Sequence, residues 1–204
     1  VITFGNVEAV LDTLADRAPL LFSKSLLIGG WAALIYHRAL VAAQDLEFPA
    51  PIPESKDRLS SRDIDFTNVW SEDFFEALPE FVVHPELEAP YLEIAGVRLG
   101  FSQAPVAIDP VEGFECSRRF RTASGTVFCV IDPIRLYREK QAMIQKGRRK
   151  PNDFFHMQVA AVYARFELAQ ARIKQASEPS EDNDFHAGAL LLEMRNLAPE
   201  LLRK

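Results

Sequence analysis

An apolar run that halts on two glycines places the first constraint on this chain. Residues 24–28 read KSLLI, Gly29-Gly30 follow, and residues 31–43 then resume with helical spacing. A short apolar run bounded by glycine predicts a buried strand that ends abruptly. The chain must then turn from strand into helix where two residues carry no side chain and backbone N–H groups can approach a ligand closely. The apolar positions of the helix predicted over 31–43 run almost all round it, so other elements are expected to cover it.

Some thirty residues later the segment SSRDIDFTNVW places Asp63 and Asp65 two positions apart in a β-like stretch. Side chains alternate along an extended chain, so Asp63, Asp65 and Thr67 share one face while Ile64 and Phe66 anchor the other. Two like charges on one strand face repel, an arrangement that a divalent cation between them relieves. Hard oxygen donors at this spacing suit Mg²⁺. A calcium EF-hand loop does not fit, because its sixth position would be Asn68 and its twelfth Phe74. Standing alone, the pair is equally consistent with two solvent-facing acids on an edge strand.

The rest of the chain supplies the frame. Asn6 predicts the cap of a helix through Ala15, with Val7, Val10, Leu11 and Leu14 as its apolar stripe. Pro49, Pro51 and Pro53 make residues 44–61 a loop. A strand over 62–69 and a short helix capped by Ser71 follow. Residues 81–131 break into short β-like runs, FVVH, YLEI, VRLGFS, FECSRRF and TVFCVI. Asp132-Pro133 then predicts a helix start, with helices over 133–146, 152–175 and 185–202 and SEPSEDND as the linker before the last. The expected fold class is α+β, a mixed sheet flanked by helices over 1–131 and a helical region over 132–204 packed on it.

Composition narrows the function classes. At 204 residues, 48% hydrophobic, the chain can bury one good core or a sheet domain with a helical extension. No apolar run approaches the roughly 20 residues that span a bilayer, no secretory signal is visible at the start, and a cytoplasmic location with no membrane partner is expected. The net charge of −6 argues against a protein that coats nucleic acid, although Lys146, Arg148, Arg149 and Lys150 form a local basic run, either a solvated face or a phosphate-facing patch. Cys116 and Cys129, placed in strands, read as buried thiols. The four histidines are scattered, with no HxxxH pair and no cysteine at the ligand spacing that a zinc site uses.

The order strand, Gly-Gly, helix, loop, Arg62-Asp63-Ile64-Asp65, strand resembles the nucleotidyltransferase superfamily, and within it the minimal and abortive-infection toxin-like members. The resemblance spans roughly residues 20–170 and extends to Leu136, Lys140, Arg148, Lys150 and Asp153, which stand where those families carry an L-x-x-x-K helix and a K-x-x-D helix start. It implies Mg²⁺ held by Asp63 and Asp65, a nucleoside triphosphate bound with Gly29, Gly30, Arg62, Lys140 and Lys150, and transfer of its nucleotide to a hydroxyl on RNA, protein or a small molecule. It also implies an antitoxin as a natural partner, if the chain is part of such a pair. One departure is visible: the strand expected to bring a third carboxylate reads GVRLGFS, with Gly100 at the expected place. That gap implies either a slow enzyme, a substitute base, or a fold kept for binding alone. Lys140 stands out independently, because it falls inside the apolar stripe of Leu136, Met143 and Ile144. Its ammonium either snorkels out along that surface or is directed at a nucleotide phosphate. Asp153, near a helix start, reads first as a cap.

Overall fold

The computed structural model describes residues 3–43, 51–54, 63–68, 82–84, 89–102, 105–147 and 151–203. Most of the loop expected over 44–61, the helix expected from Ser71, and Arg62, Arg148 and Lys150 lie outside them. The chain divides into two compact units, one made of Val1–Ala32 with Asp57–Asp132, the other of Ala33–Lys56 with Pro133–Lys204.

The first unit is built on a mixed sheet. Its described strands are β1 (Ser25–Ile28), β2 (Asp63–Asn68), β3 (Val82–His84), β4 (Ala89–Ile94), β5 (Val97–Ser102), β6 (Arg118–Arg121) and β7 (Val127–Val130). Their spatial order is β3-β4-β5-β2-β1-β7-β6. β1 runs antiparallel to β2 and parallel to β7, and β2 runs parallel to β5. Every residue of β1 is buried, as its interior place requires. On β2, Ile64 and Phe66 are buried at 0% and 1% exposure, and the Phe66 ring stacks on Phe101 of β5 at 5.5 Å. Burial of this order contributes roughly 1.5–3 kcal/mol per large side chain.

Helix α1 (Phe4–Arg17) begins three residues earlier than the sequence suggests. Thr3 is its cap and Asn6 closes a capping box from the third helical position, a reciprocal arrangement that satisfies two otherwise bare N–H groups. Its stripe of Val7, Val10, Leu11 and Leu14 is buried as expected. Asp12 reaches the β6–β7 turn, accepting a hydrogen bond from the Thr122 hydroxyl at 2.9 Å. Hydrogen bonds from Thr126 and Ser124 hold its carboxyl below the ordinary aspartate range. A short helix α2 (Pro19–Ser23) leads into β1.

The run FECSRRF is not one strand. Asp109 accepts from the N–H groups of Val111 and Glu112 and caps a helix α4 (Pro110–Glu115), with Cys116 as its C-cap; only Arg118–Arg121 is strand. The two thiols are half-buried rather than buried, Cys116 at that cap and Cys129 in β7.

Helix α3 (Gly29–Ala42) starts in the first unit and continues into the second, where residues 33–37 are all buried. The second unit also holds α5 (Pro133–Gln145), α6 (Pro151–Ser177), α7 (Glu181–Leu197) and a closing 3-10 turn, Pro199–Leu202. Of the stretch expected as a linker, only Glu178–Ser180 joins the two helices, and Glu181–Asp184 is already the start of α7. Ser180 caps it, and Glu181, Asp182 and Asp184 fill its first turn, where negative charge favours a helix N-terminus. Tyr36 of α3 packs on Tyr163 of α6 at 4.3 Å between ring centroids, and the His37 ring nitrogen Nε2 lies 3.0 Å from the carbonyl of Pro53. No helix among the described residues is long and apolar enough to cross a membrane.

The second unit buries charge. Arg135 pairs with Glu193, and Lys140 with Asp153 at 2.8 Å. Beside the latter pair His156 is 5% exposed, and neither ring nitrogen has a hydrogen-bond partner among the described residues. Burial first, then the Lys140 ammonium, push this imidazole down to about 4, with Asp153 acting the other way. The folded protein therefore holds His156 neutral where the unfolded chain would bind a proton. That contribution to stability is complete above pH 6.5 and is lost as pH falls from 6.5 toward 4, about 3 kcal/mol in all. Urea unfolding followed across that range should show the loss, and His156→Leu should flatten it.

Candidate functional site

The site grows from the register of two strand pairs. Ile28, the last residue of β1, lies opposite Asp65, so the chain leaves the strand at Gly29 directly beside the Asp65 side chain. Gly29 has φ +71°, and a Cβ at this position would lie 2.7 Å from Asp65 Oδ2. Backbone conformation and space thus both demand glycine there. The first residue of α3 and the Asp65 carboxylate meet at one point, and Gly30 behind it is buried.

Gly29→Ala is expected to cost about 2 kcal/mol, from the left-handed backbone together with the displaced carboxylate. Urea melts would measure it. A double-mutant cycle with Asp65→Ala should recover the steric part and leave the backbone part.

On the other side, β5 places Gly100 opposite Asp65 and Arg98 opposite Asp63. A Cβ on Gly100 would lie 3.3 Å from Asp65 Oδ1. The Asp65 carboxylate therefore sits over a bare strand position, the one at which the resemblance implies a third acid. The next strand, β4, sets Tyr91 opposite Gly100 and Glu93 opposite Arg98. Residues paired across a sheet share a face. One face thus carries the row Asp63, Arg98, Glu93 and beside it the row Asp65, Gly100, Tyr91. The Arg98 guanidinium lies 4.9 Å from the Tyr91 ring centroid, stacked on it.

Sequence spacing singles out Asp63 and Asp65 and gives no sign of Tyr91, Glu93 or Arg98 beside them. Strand alternation alone would place Tyr91 with Glu93 and Arg98 with Gly100. Bringing all of these beside the aspartates takes the pairing of β2 with β5, which sequence spacing does not encode.

Asp63 and Asp65 are both partly exposed, unlike the buried Ile64 and Phe66 between and after them, so the two acids are displayed rather than sequestered. Mg²⁺ commonly takes one or two carboxylates and completes its shell with water and phosphate oxygens. Two displayed carboxylates beside a side-chain-free turn fit that donor set. Among the described residues no group of three His, Cys, Asp or Glu side chains converges as a metal cage would require.

Lys140 belongs to the second unit. Its ammonium does not snorkel to solvent; it is buried and bound by Asp153, both side chains being 4% exposed. Asp153, in the first turn of α6, thereby acts as a counter-ion. Arg62 and Lys150 lie outside the described residues.

No protein-family profile matches the sequence, and no curated protein matches it. Its architecture does have counterparts among solved structures. An antigenic nucleotidyltransferase-like protein from Paracoccidioides brasiliensis is similar to it with a TM-score of 0.51 and 15% identity, over 100% of this chain and 95% of that one. The polyadenylate synthase of Megavirus aligns with a TM-score of 0.41 and 13% identity, over 84% of this chain and 36% of that one. The first of these likenesses shows the fold: α+β, nucleotidyltransferase-like, with a mixed sheet flanked by helices and a helical C-terminal part.

Proposed function

We propose that the chain binds a nucleoside triphosphate together with Mg²⁺ through Asp63 and Asp65, and transfers the nucleotide to a hydroxyl acceptor with release of pyrophosphate. The observation that carries this reading is the packing of the Asp65 carboxylate against Gly29, where a strand turns into a helix N-terminus. Negative phosphate oxygens are favoured at such a terminus. The aspartates would hold the metal, which when bound neutralises phosphate charge and orients an in-line attack. Gly29 and Gly30 let the phosphates come close to the backbone. Arg98, exposed on the same face, offers a fixed guanidinium to an anionic group of nucleotide or acceptor. Arg62 and Lys150 remain part of the proposal on sequence grounds, whereas the Lys140 ammonium is engaged by Asp153. RNA, a protein and a small molecule are all acceptors compatible with this reading, and an antitoxin is the partner that the toxin-like resemblance suggests.

Gly100 favours a second reading, a module that binds nucleotide without turnover. A third carboxylate would help activate the acceptor hydroxyl, and the strand position beside Asp65 offers none. Incubation with each α-labelled nucleoside triphosphate, Mg²⁺ and candidate acceptors separates the two readings. A labelled product with release of pyrophosphate supports transfer, and Mg²⁺-dependent binding without product supports the module.

A further inference from the structure

Helix α7 has two apolar faces. One is spent inside the second unit, where Ala187, Leu190 and Met194 are buried. On the opposite side Phe185 is 77% exposed and Leu192 is 58% exposed. They are seven residues apart and so lie on one stripe, two turns from each other. Midway between them stand Gly188 and Ala189, both exposed. A Cβ on Gly188 would meet nothing within 4 Å, so among the described residues no contact calls for glycine. Glycine in a helix interior is unfavourable, and no described neighbour accounts for this one.

The pattern large, small, small, large reads the same in both directions about its centre. We infer that this face packs on the same face of a second copy, antiparallel, across a two-fold axis passing between Gly188 and Ala189. Phe185 then lies against the partner's Leu192, and Leu192 against the partner's Phe185. The small residues at the crossing let the two backbones approach. Charge chooses the direction. α7 is acidic in its first turn and carries Arg195 in its last. A parallel pair would oppose two acidic turns, whereas the antiparallel pair sets Glu181 beside the partner's Arg195, twice. A two-fold interface is self-complementary in this way. A single helix pair is at the small end of specific interfaces, so the dimer forms with a dissociation constant on the order of micromolar.

Sedimentation velocity over a concentration series from about 1 to 200 µM tests this on the intact chain. The wild type should pass from monomer to dimer. Phe185→Lys and Leu192→Lys should each raise the dissociation constant by at least about 10-fold, as loss of a central apolar anchor does. Gly188→Leu should do the same while raising the melting temperature of the dilute monomer, a combination that separates lost contact from lost folding. Arg195→Glu should weaken the dimer, and adding Glu181→Arg to it should restore association. A wild type that stays monomeric throughout would overturn the inference, as would a dimer indifferent to Phe185→Lys, Leu192→Lys and Gly188→Leu.

Discussion

Asp65→Asn is expected to abolish Mg²⁺-dependent nucleotide binding and to reduce any transfer by at least about 100-fold, the scale at which removing one charge-stabilising group acts. Asparagine has the shape of aspartate, so the contact with Gly29 and the strip above Gly100 survive the change. What goes is the negative charge that would hold the metal. Asp63→Asn should act in the same direction, because Asp63 shares the strand face two residues away. Both variants should melt close to the wild type, since neither carboxylate is buried. Loss of binding with an unchanged melting temperature therefore assigns the effect to the site rather than to folding.

Lys140→Met is the substitution expected to cost most in stability. Lys140 and Asp153 are each 3% exposed, and removing the cation leaves a carboxylate in the core of the second unit, an expense of about 3–5 kcal/mol. The pair itself contributes far less than that figure, because burying both charges already costs much of their attraction. Replacing both residues, as Lys140→Met with Asp153→Leu, should thus recover most of the loss, and urea unfolding of the three variants closes the cycle. His156 reports on the same change. The Lys140 ammonium is one of the influences that depress its imidazole, so in Lys140→Met the His156 proton should be taken up at a higher pH, which NMR titration reads directly.

Much of this architecture was legible locally. The Gly-Gly stop after residues 24–28, the display of Asp63 and Asp65 opposite the anchoring Ile64 and Phe66, and the helix start at Asp132-Pro133 all follow from side-chain periodicity and capping chemistry, whereas Thr67, expected on the displayed face, is buried. Elsewhere one local signal masks another. Asp109-Pro110 is the same helix start as Asp132-Pro133, but the β-like run after it concealed the cap. The acids of residues 181–184 looked like a solvated linker, although acids are also what a helix N-terminus favours.

The rest was not local. Gly100 beside Asp65, and Arg98 with Glu93 and Tyr91 on the same face, depend on β2 pairing with β5, strands separated by about thirty residues. The partner of Lys140 lies on another helix. Its place in an apolar stripe signals that the ammonium needs a reason, whereas nothing local in the sequence marks Asp153, a cap or a K-x-x-D position, as its counter-ion. Gly29 is the intermediate case: the sequence marks a turn, and only the register shows that the Asp65 carboxylate occupies the space a side chain would need.

The measurement that bears most directly on the site is equilibrium binding of a labelled nucleoside triphosphate to the intact chain, with Mg²⁺ and with the metal chelated, in wild type and Asp65→Asn. Saturable binding by the wild type in the presence of Mg²⁺, lost on chelation and lost in the variant, is the expected result. Absence of binding to every nucleotide, or binding indifferent to both metal and substitution, would contradict it.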